Sequence, residues 1–118
     1  MSLAEETLAA QLDQARIPFE REFRFAPPRR WRADFRVEPN HPRTAILVEV
    51  DGGGFIGGGH SRGAGIYRDS EKQSAAAILG YRVIRCTPRQ VEDGTALSWI
   101  EMALGRRAVD LSGAPRSR

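Results

Sequence analysis

The strongest constraint on the fold of this chain is a short apolar run, residues 45–50, that is broken near its end by Glu49 and followed at once by Asp51. A continuous apolar strand predicts a central position in a sheet whose two faces are both covered. Because residues i and i+2 of a strand point to the same side, Glu49 and Asp51 are expected to converge while Val50 packs behind them. Carboxylates beside a core are costly without a partner, so the pair predicts either a structural counter-ion or a functional site.

The remaining sequence predicts helices that cover this strand. Segments with apolar residues at helical spacing alternate with segments of period two, which indicates an α/β protein. The expected elements, in order, are a helix over residues 4–16, strands over 19–25, 31–37 and 45–50, a glycine-rich loop over 52–65, a helix over 67–79, a strand over 81–86 and a helix over 88–104. The order αβββαβα predicts an α/β fold with a mixed β-sheet flanked by helices.

Length and composition favour one cytoplasmic domain. A chain of 118 residues suits a single core, and we expect one domain over residues 1–105 followed by a polar tail over residues 106–118. No run reaches the roughly 20 apolar residues that span a bilayer, and the acidic N-terminal segment does not resemble a secretion signal. The single cysteine, Cys86, cannot form an internal disulfide and is expected to be a buried strand residue.

The basic residues are distributed unusually. Lys72 is the only lysine among the 18 basic residues, and the net charge is +3. A bias toward arginine reflects the base composition of a genome as readily as function, but it makes the lone lysine a residue to explain. Three arginines, Arg29, Arg30 and Arg32, surround Trp31. They are expected either to contact nucleic-acid phosphates, with the tryptophan stacked on a base, or to form a solvated strand face with the tryptophan in the core.

The glycine-rich loop over residues 52–65 does not match a nucleotide-binding motif, because no GK[ST] follows it. A loop that orders on DNA fits better, with Arg62 and Arg68 on its flanks as phosphate ligands. His60, within this loop, is either a general acid or base beside the site, a phosphate ligand, or a plain surface histidine.

A third carboxylate can join Glu49 and Asp51. Asp34 lies in the preceding strand of the same hairpin, and a cross-strand neighbour can bring its carboxylate close to theirs. Three carboxylates in one place repel one another unless a divalent cation lies among them, and hard oxygen ligands suit Mg²⁺ or Mn²⁺. The alternative is that each acid merely ends a strand and pairs with a nearby arginine.

Five blocks of the sequence resemble a known family. They are residues 31–35 (WRADF), residues 48–53 (VEVDGG), His60, residues 69–72 (DSEK) and residues 79–85 (LGYRVIR). In this order they are similar to the blocks of small PD-(D/E)XK endonucleases of phage and prophage, related to the very-short-patch-repair and VRR-NUC groups. The resemblance covers residues 5–104 and implies a restriction-endonuclease-like fold that cleaves DNA with Mg²⁺ or Mn²⁺.

The resemblance also implies roles for individual residues. Asp34 matches the first aspartate of the motif and Glu49 its second acidic residue, while Asp51 stands where the family pattern places a lysine. Relatives with an acidic residue at that position relocate the cation to the following helix, which here carries Lys72. The three acids and the carbonyl of Val50 would then hold the metal.

Two assignments stay open in the sequence. Lys72 shares a helix face with Asp69 and lies next to Gln73, so either Lys72 or Gln73 is expected to point at the metal site. The resemblance to the resolvase-like branch implies an extra acidic ligand from the first helix, with Glu6 placed among the ligands and its neighbour Glu5 as the other candidate. Only one of the two adjacent acids can face inward.

The expected function is a Mg²⁺-dependent endodeoxyribonuclease, selective for DNA structure, that nicks DNA or resolves junctions with Lys72 beside the reacting water. The alternative is a nucleic-acid-binding domain of the same fold that does not cleave. The amphipathic last helix is explained by core packing or, alternatively, by a homodimer interface.

Overall fold

The structure, a computed structural model, describes residues 2–40, 45–51 and 62–112, and of residues 62–68 it describes the backbone alone. In these residues the chain forms α1 (Leu3–Gln14), β1 (Phe19–Arg24), β2 (Arg32–Val37), β3 (Ile46–Val50), α2 (Arg62–Ile78), β4 (Arg82–Cys86), α3 (Pro88–Glu92) and α4 (Thr95–Ala103). None of the helices described is both long enough and apolar enough to cross a membrane.

The four strands form one mixed sheet in the order β1-β2-β3-β4. β1 pairs antiparallel with β2 and β2 antiparallel with β3, whereas β3 and β4 are parallel. A parallel pair needs a crossover, and α2 lies in the connection between β3 and β4. β3 therefore has a neighbour on each side, as its apolar sequence predicted. The expected α/β fold with a mixed sheet flanked by helices is confirmed.

One face of the sheet is covered by α1, α3 and α4. Alternate residues of β3 point to this face and pack against fully buried side chains of the three helices. This set, which we call the first cluster, includes Ile46, Val48, Phe35, Leu8, Leu12, Val91 and Ile100. Burying one such side chain contributes about 1.5–3 kcal/mol. This face therefore supplies most of the hydrophobic stabilisation.

The opposite face is covered by α2 and is less apolar. Leu47, the β3 residue that points this way, packs with Phe25, Ala33 and Ala76 in a second cluster. Among the α2 side chains that the structure describes, those of residues 69–78, Ala76 is buried here, whereas Ile78 at the end of the same helix is 82% exposed. This described part of α2 therefore buries less apolar surface than α1, which buries Leu8 and Leu12 completely.

The strands β1 and β2 switch faces near their middle. In β2, Phe35 belongs to the first cluster, whereas Ala33, two residues earlier, belongs to the second. Regular alternation would place both on one face. The switch coincides with Glu22 of β1, which has a positive φ of 55° and lies opposite Asp34 in the register. The candidate site residue Asp34 thus lies at an irregular point of the sheet.

The helices depart from the sequence prediction at two places. The expected last helix is divided into α3 and α4, because Gly94 adopts a φ of 87° that glycine tolerates and Asp93 Oδ1 accepts a hydrogen bond from the Thr95 N–H at 2.9 Å instead of leaving it to a continuous helix. α2 begins at Arg62, so the end of the expected glycine-rich loop is helical. A glycine costs about 1 kcal/mol inside a helix, which is too little to end one by itself.

The first residues of the expected polar tail are tied to the domain. Arg106 Nη1 donates to the carbonyl of Ala15 at 3.3 Å, and Nη2 lies 2.8 Å from Glu38 Oε2. Arg107 pairs with Glu101 at 3.0 Å. Since the last carbonyls of a helix lack intrahelical partners, Arg106 satisfies the end of α1 from a position just past α4.

Candidate active site

Asp34 and Glu49 are neighbours at the point where β2 and β3 separate. The register of these strands ends with Phe35 opposite Val48, and one further step places Asp34 opposite Glu49. There a side-chain hydrogen bond takes the place of a backbone hydrogen bond between the strands: Asp34 Oδ2 accepts from the Val50 N–H at 2.7 Å. Asp34 and Glu49 therefore lie at the same end of the β2–β3 pair.

Glu49 is paired with the only lysine of the chain. Lys72 Nζ lies 3.0 Å from Glu49 Oε1 and 2.9 Å from Oε2, and both side chains are about one-fifth exposed, at 22% and 21%. Burial raises the pKa of the Glu49 carboxyl, an effect that the contact with Lys72 opposes and that the charge of Asp34 reinforces. Of the two candidates on α2, Lys72 points at the site, whereas Gln73 is exposed.

Asp51 is held by an arginine of the neighbouring strand. Arg85 lies beside Glu49 in the β3–β4 register, and its Nε donates to Asp51 Oδ2 at 3.1 Å. Its Nη1 donates to Asp69 Oδ2 of α2 at 3.2 Å. The hydrogen bond with Asp51 is the main reason why the pKa of the Arg85 guanidinium is raised, and Asp69 adds to it. Asp69 thus reaches the site through Arg85.

The first helix brings Glu5, rather than Glu6, toward the site. The Glu5 side chain is 13% exposed and that of Glu6 50%, and Arg21 lies 3.9 Å from the first and 3.2 Å from the second. Burial raises the pKa of the Glu5 carboxyl, and the nearby charge of Asp34 raises it further. Glu6 was placed among the ligands and Glu5 held as the other candidate; the geometry favours Glu5, because adjacent helix residues point about 100° apart.

The site has the donor chemistry of a divalent metal centre, but each acid is already engaged. Asp34 is held by a backbone N–H, Glu49 by Lys72 and Asp51 by Arg85. Over the residues that the structure describes, no three His, Cys, Asp or Glu side chains are grouped so that they could hold a metal ion. Carboxylate oxygens are the type of ligand that Mg²⁺ and Mn²⁺ prefer. A cation would therefore exchange with the present partners.

Cys86 lies directly behind the acids without adding reactivity. Its Sγ is 3.6 Å from the Glu49 carbonyl oxygen, and the residue is 2% exposed, as expected for a strand residue. Burial raises the pKa of the thiol to about 12, and the charges of Asp51 and Asp34 contribute. A thiol of this kind stays protonated at neutral pH and does not act as a nucleophile.

The basic cluster around Trp31 is partly neutralised. The guanidinium of Arg29 lies 3.8 Å from the centroid of the Trp31 ring and 3.3 Å from Glu71, and Arg32 lies 3.1 Å from Glu22. Trp31 stacks against Phe25 and packs on the second cluster. These contacts favour the interpretation of the tryptophan as a core residue. Arg30 is exposed.

For three of the expected site residues, the structure does not describe the side chain. His60 lies outside the described residues, as does most of the glycine-rich loop, and Arg62 and Arg68 are described only as part of the α2 backbone. The Val50 carbonyl stays a predicted ligand. The structure therefore pairs Glu49 with Lys72, joins Asp51 and Asp69 through Arg85, and holds Asp34 on the Val50 N–H.

Sequence analysis gave Arg85 no place in the site. The signal was present, since a charged residue between Ile84 and Cys86 interrupts an apolar strand that has to lie beside β3. When the chain is compared with family models, with curated proteins and with solved structures, no match is found. Function must therefore be inferred from the geometry of the site.

Proposed function

We propose that this protein is a metal-dependent nuclease that hydrolyses DNA phosphodiester bonds, with a core of the PD-(D/E)XK type. One observation carries the proposal: Asp34 and Glu49 lie side by side at the opening between β2 and β3, with Lys72 of the next helix on Glu49. A lone acid at a strand end is usually structural. Two acids from adjacent strands with a lysine delivered by the following element are much harder to explain by stability alone.

The topology around these residues supports the same interpretation. A helix, an antiparallel meander of three strands, a crossover helix and a fourth strand parallel to the third are the order that the sequence resemblance implies. The acids lie at the C-terminal end of β3, where α/β proteins commonly place their sites. The resemblance to the family is limited to the order of elements and the types of residue, so the proposal depends on the cleavage experiment below.

The residues present can divide the work of phosphodiester hydrolysis. A bound Mg²⁺ or Mn²⁺ supplies a water of lowered pKa and positive charge next to the phosphate. Asp34 is oriented by the Val50 N–H, and Glu49 offers a carboxylate that lies against the Lys72 ammonium. Lys72 contributes the ammonium that orients the attacking water and stabilises the charge of the transition state.

Lys72 takes the role that Asp51 cannot fill. The position two residues after the second acid, where the family pattern has a lysine, is acidic here. The ammonium of Lys72 reaches both oxygens of Glu49 from α2, within 3.0 Å. Because a lysine is a compact point charge on a flexible stem, its position in the chain matters less than where its nitrogen ends. We therefore propose Lys72, in contact with Glu49, as the relocated cation that the resemblance implies.

DNA is the substrate that charge and architecture favour. The net charge of +3 and the exposed Arg30 favour contacts to phosphates rather than to a particular base sequence, and Arg62 and Arg68 stay predicted phosphate ligands. We therefore propose selectivity for DNA structure, such as a nick or a junction. A homodimer stays a prediction: Ala96 and Ile100 of the last helix are buried within the monomer, which explains its apolar face without a partner.

A second candidate function is binding of nucleic acid without cleavage. The observation that favours it is the engagement of Glu49 and Asp51 by Lys72 and Arg85, which leaves the acids neutralised in the absence of a metal. A domain that only binds nucleic acid needs a positive surface, and pairing the acids with Lys72 and Arg85 removes negative charge from that surface.

The two candidates are separated by cleavage assays on matched variants. Supercoiled plasmid and a labelled four-way junction are incubated with Mg²⁺ or Mn²⁺ and the wild-type chain, Glu49→Gln or Asp34→Asn. Glu20→Gln, which removes a half-exposed carboxylate of β1, is the control for charge and for purification. We expect metal-dependent cleavage by the wild type and the control, and loss of at least about a thousandfold for the two site variants.

The nuclease proposal is wrong if the protein binds these DNA molecules but no metal ion produces cleavage that depends on Glu49. In that case the binding function is favoured. Cleavage of the junction in preference to linear duplex is the expected sign of structural selectivity.

A further inference from the structure

Arg85 links the strand end that carries Asp51 to the helix that carries Lys72. Its Nε donates to Asp51 Oδ2 at 3.1 Å, and its Nη1 donates to Asp69 Oδ2 at 3.2 Å. A guanidinium has five N–H donors in a planar fork, so it can serve two carboxylates at once. Because the two contacts use different nitrogens, Arg85 can release one carboxylate and keep the other.

The contact with Asp51 is open to exchange. The side chains of Arg85 and Asp51 are 32% and 35% exposed, so solvent and ions reach the pair. Ion pairs of this exposure are worth about 0–1 kcal/mol, which a divalent cation can exceed through its larger charge. Asp69 is 48% exposed and lies on α2, one turn before Lys72. It can therefore hold the arginine from the helix side after Asp51 is taken.

We propose that Arg85 is a built-in counter-ion, which neutralises Asp51 before a divalent cation binds and is then retained by Asp69 beside the site. The inference rests on the proposed function, since it assigns Asp51 to the metal. Two acids are each neutralised by a cation of the chain, Glu49 by Lys72 and Asp51 by Arg85. Metal binding is then an exchange of partners, and Arg85 lowers the affinity that three unpaired acids would have.

The proposal predicts that substitutions of Arg85 and of Asp69 change the affinity for Mn²⁺ in opposite directions. Arg85→Gln removes a competing cation and its repulsion, so the dissociation constant for Mn²⁺, measured by calorimetry, is expected to fall by about tenfold. Asp69→Asn removes the partner that retains the arginine, so Mn²⁺ is expected to bind more weakly. Arg82→Gln is the matched control, because it removes the same charge from an exposed position of the same strand and is expected to change the constant by about twofold or less.

A second measurement follows the arginine directly. In the ¹⁵N–¹H spectrum of the arginine side chains, Mg²⁺ is expected to change the Nε–H signal of Arg85 in the wild type and in Asp69→Asn, but not in Asp51→Asn. Arg85→Lys, which keeps the charge, is expected to bind Mn²⁺ with nearly the wild-type constant. It guards against a folding defect in Arg85→Gln, together with the circular dichroism of each variant.

The outcomes separate this inference from the function on which it rests. Mn²⁺ binding that depends on Glu49 but is unchanged or weakened in a folded Arg85→Gln variant overturns the counter-ion and leaves the nuclease proposal standing. Mn²⁺ binding that is absent from the wild type and from every variant overturns both. Tighter binding in Arg85→Gln together with weaker binding in Asp69→Asn supports the exchange.

Discussion

The two faces of the sheet are held together by different forces. On the face covered by α1, α3 and α4, the contacts are mainly apolar and fully buried. On the face covered by α2, the side chains that the structure describes, those of residues 69–78, bury a methyl group at Ala76 and make three ion pairs. These join Lys72 to Glu49, Asp69 to Arg85, and Glu71 to Arg29.

This difference separates stability from chemistry. Apolar packing is strong but has no reactivity, whereas ion pairs of partly exposed groups contribute little stability and can exchange partners. The candidate site lies where the second kind of contact predominates. On the α2 side, ion pairs such as that of Lys72 with Glu49 can exchange partners. On the other side, the first cluster holds β3 in place.

The largest effect that the comparison predicts is on the apolar face. Leu12→Ala removes a fully buried side chain of α1 from the first cluster, and we expect a loss of about 2–5 kcal/mol in the free energy of unfolding. Leu3→Ala, at an 81% exposed position of the same helix, should stay within about 0.5 kcal/mol. Denaturant unfolding measures both. Equal effects for the two variants would show that the first cluster does not carry the stability.

The next effect concerns the opposite face, where activity should change more than stability. Lys72→Met is expected to lower DNA cleavage by about 10²–10³-fold, the usual cost of removing one charged group that stabilises a transition state. The free energy of unfolding should change by about 1 kcal/mol or less, since the ion pair is partly exposed. Gln73→Ala, at the adjacent exposed position, is the control and should cleave normally. A similar loss in both variants would contradict the assignment of Lys72.

Much of the fold could be predicted from the sequence because it depends on local patterns. The apolar run that became β3, the period of the flanking strands and the spacing of the first helix are properties of short segments. They gave the order of elements, the central strand and the placing of Asp34 beside Glu49. The division of the last helix at Gly94 was missed because one glycine within an apolar helical pattern is tolerated more often than it ends a helix.

The remaining details depend on contacts between distant segments. Whether Lys72 or Gln73 faces the site, and whether Glu5 or Glu6 does, is decided by a rotation of about 100° per residue that the sequence pattern does not fix. The partnership of Arg85 with Asp51 and Asp69 depends on the register of parallel strands joined by a crossover. The switch of faces at Glu22 also has no local signal, since exposure alternates regularly through it.

A smaller effect should appear in the response of α2 to salt. Raising the ionic strength from 0.1 to 1 M shortens the screening length from about 10 to about 3 Å. Because ion pairs worth about 0.2–1 kcal/mol each are weakened, amides in the middle of α2 should exchange with deuterium about threefold faster, whereas those of α1 should not. Glu71→Gln, which removes the pair with Arg29, should reduce the response. Equal acceleration of both helices would contradict the contrast between the faces.

The smallest effect is a pH dependence that belongs to the α2 side. Burial raises the pKa of Glu49 above its ordinary value of 4.5, so the native state binds this proton more tightly than the unfolded state. The contribution of Glu49 to stability is therefore fully present below pH 4.5 and is lost as the pH rises through the raised pKa. Glu49→Gln does not titrate. Its free energy of unfolding minus that of the wild type should therefore increase as the pH rises through that window and then level off. Glu20→Gln controls for the loss of one negative charge. A difference that shrinks with rising pH would mean that Lys72 outweighs burial and that the ion pair stabilises the native state.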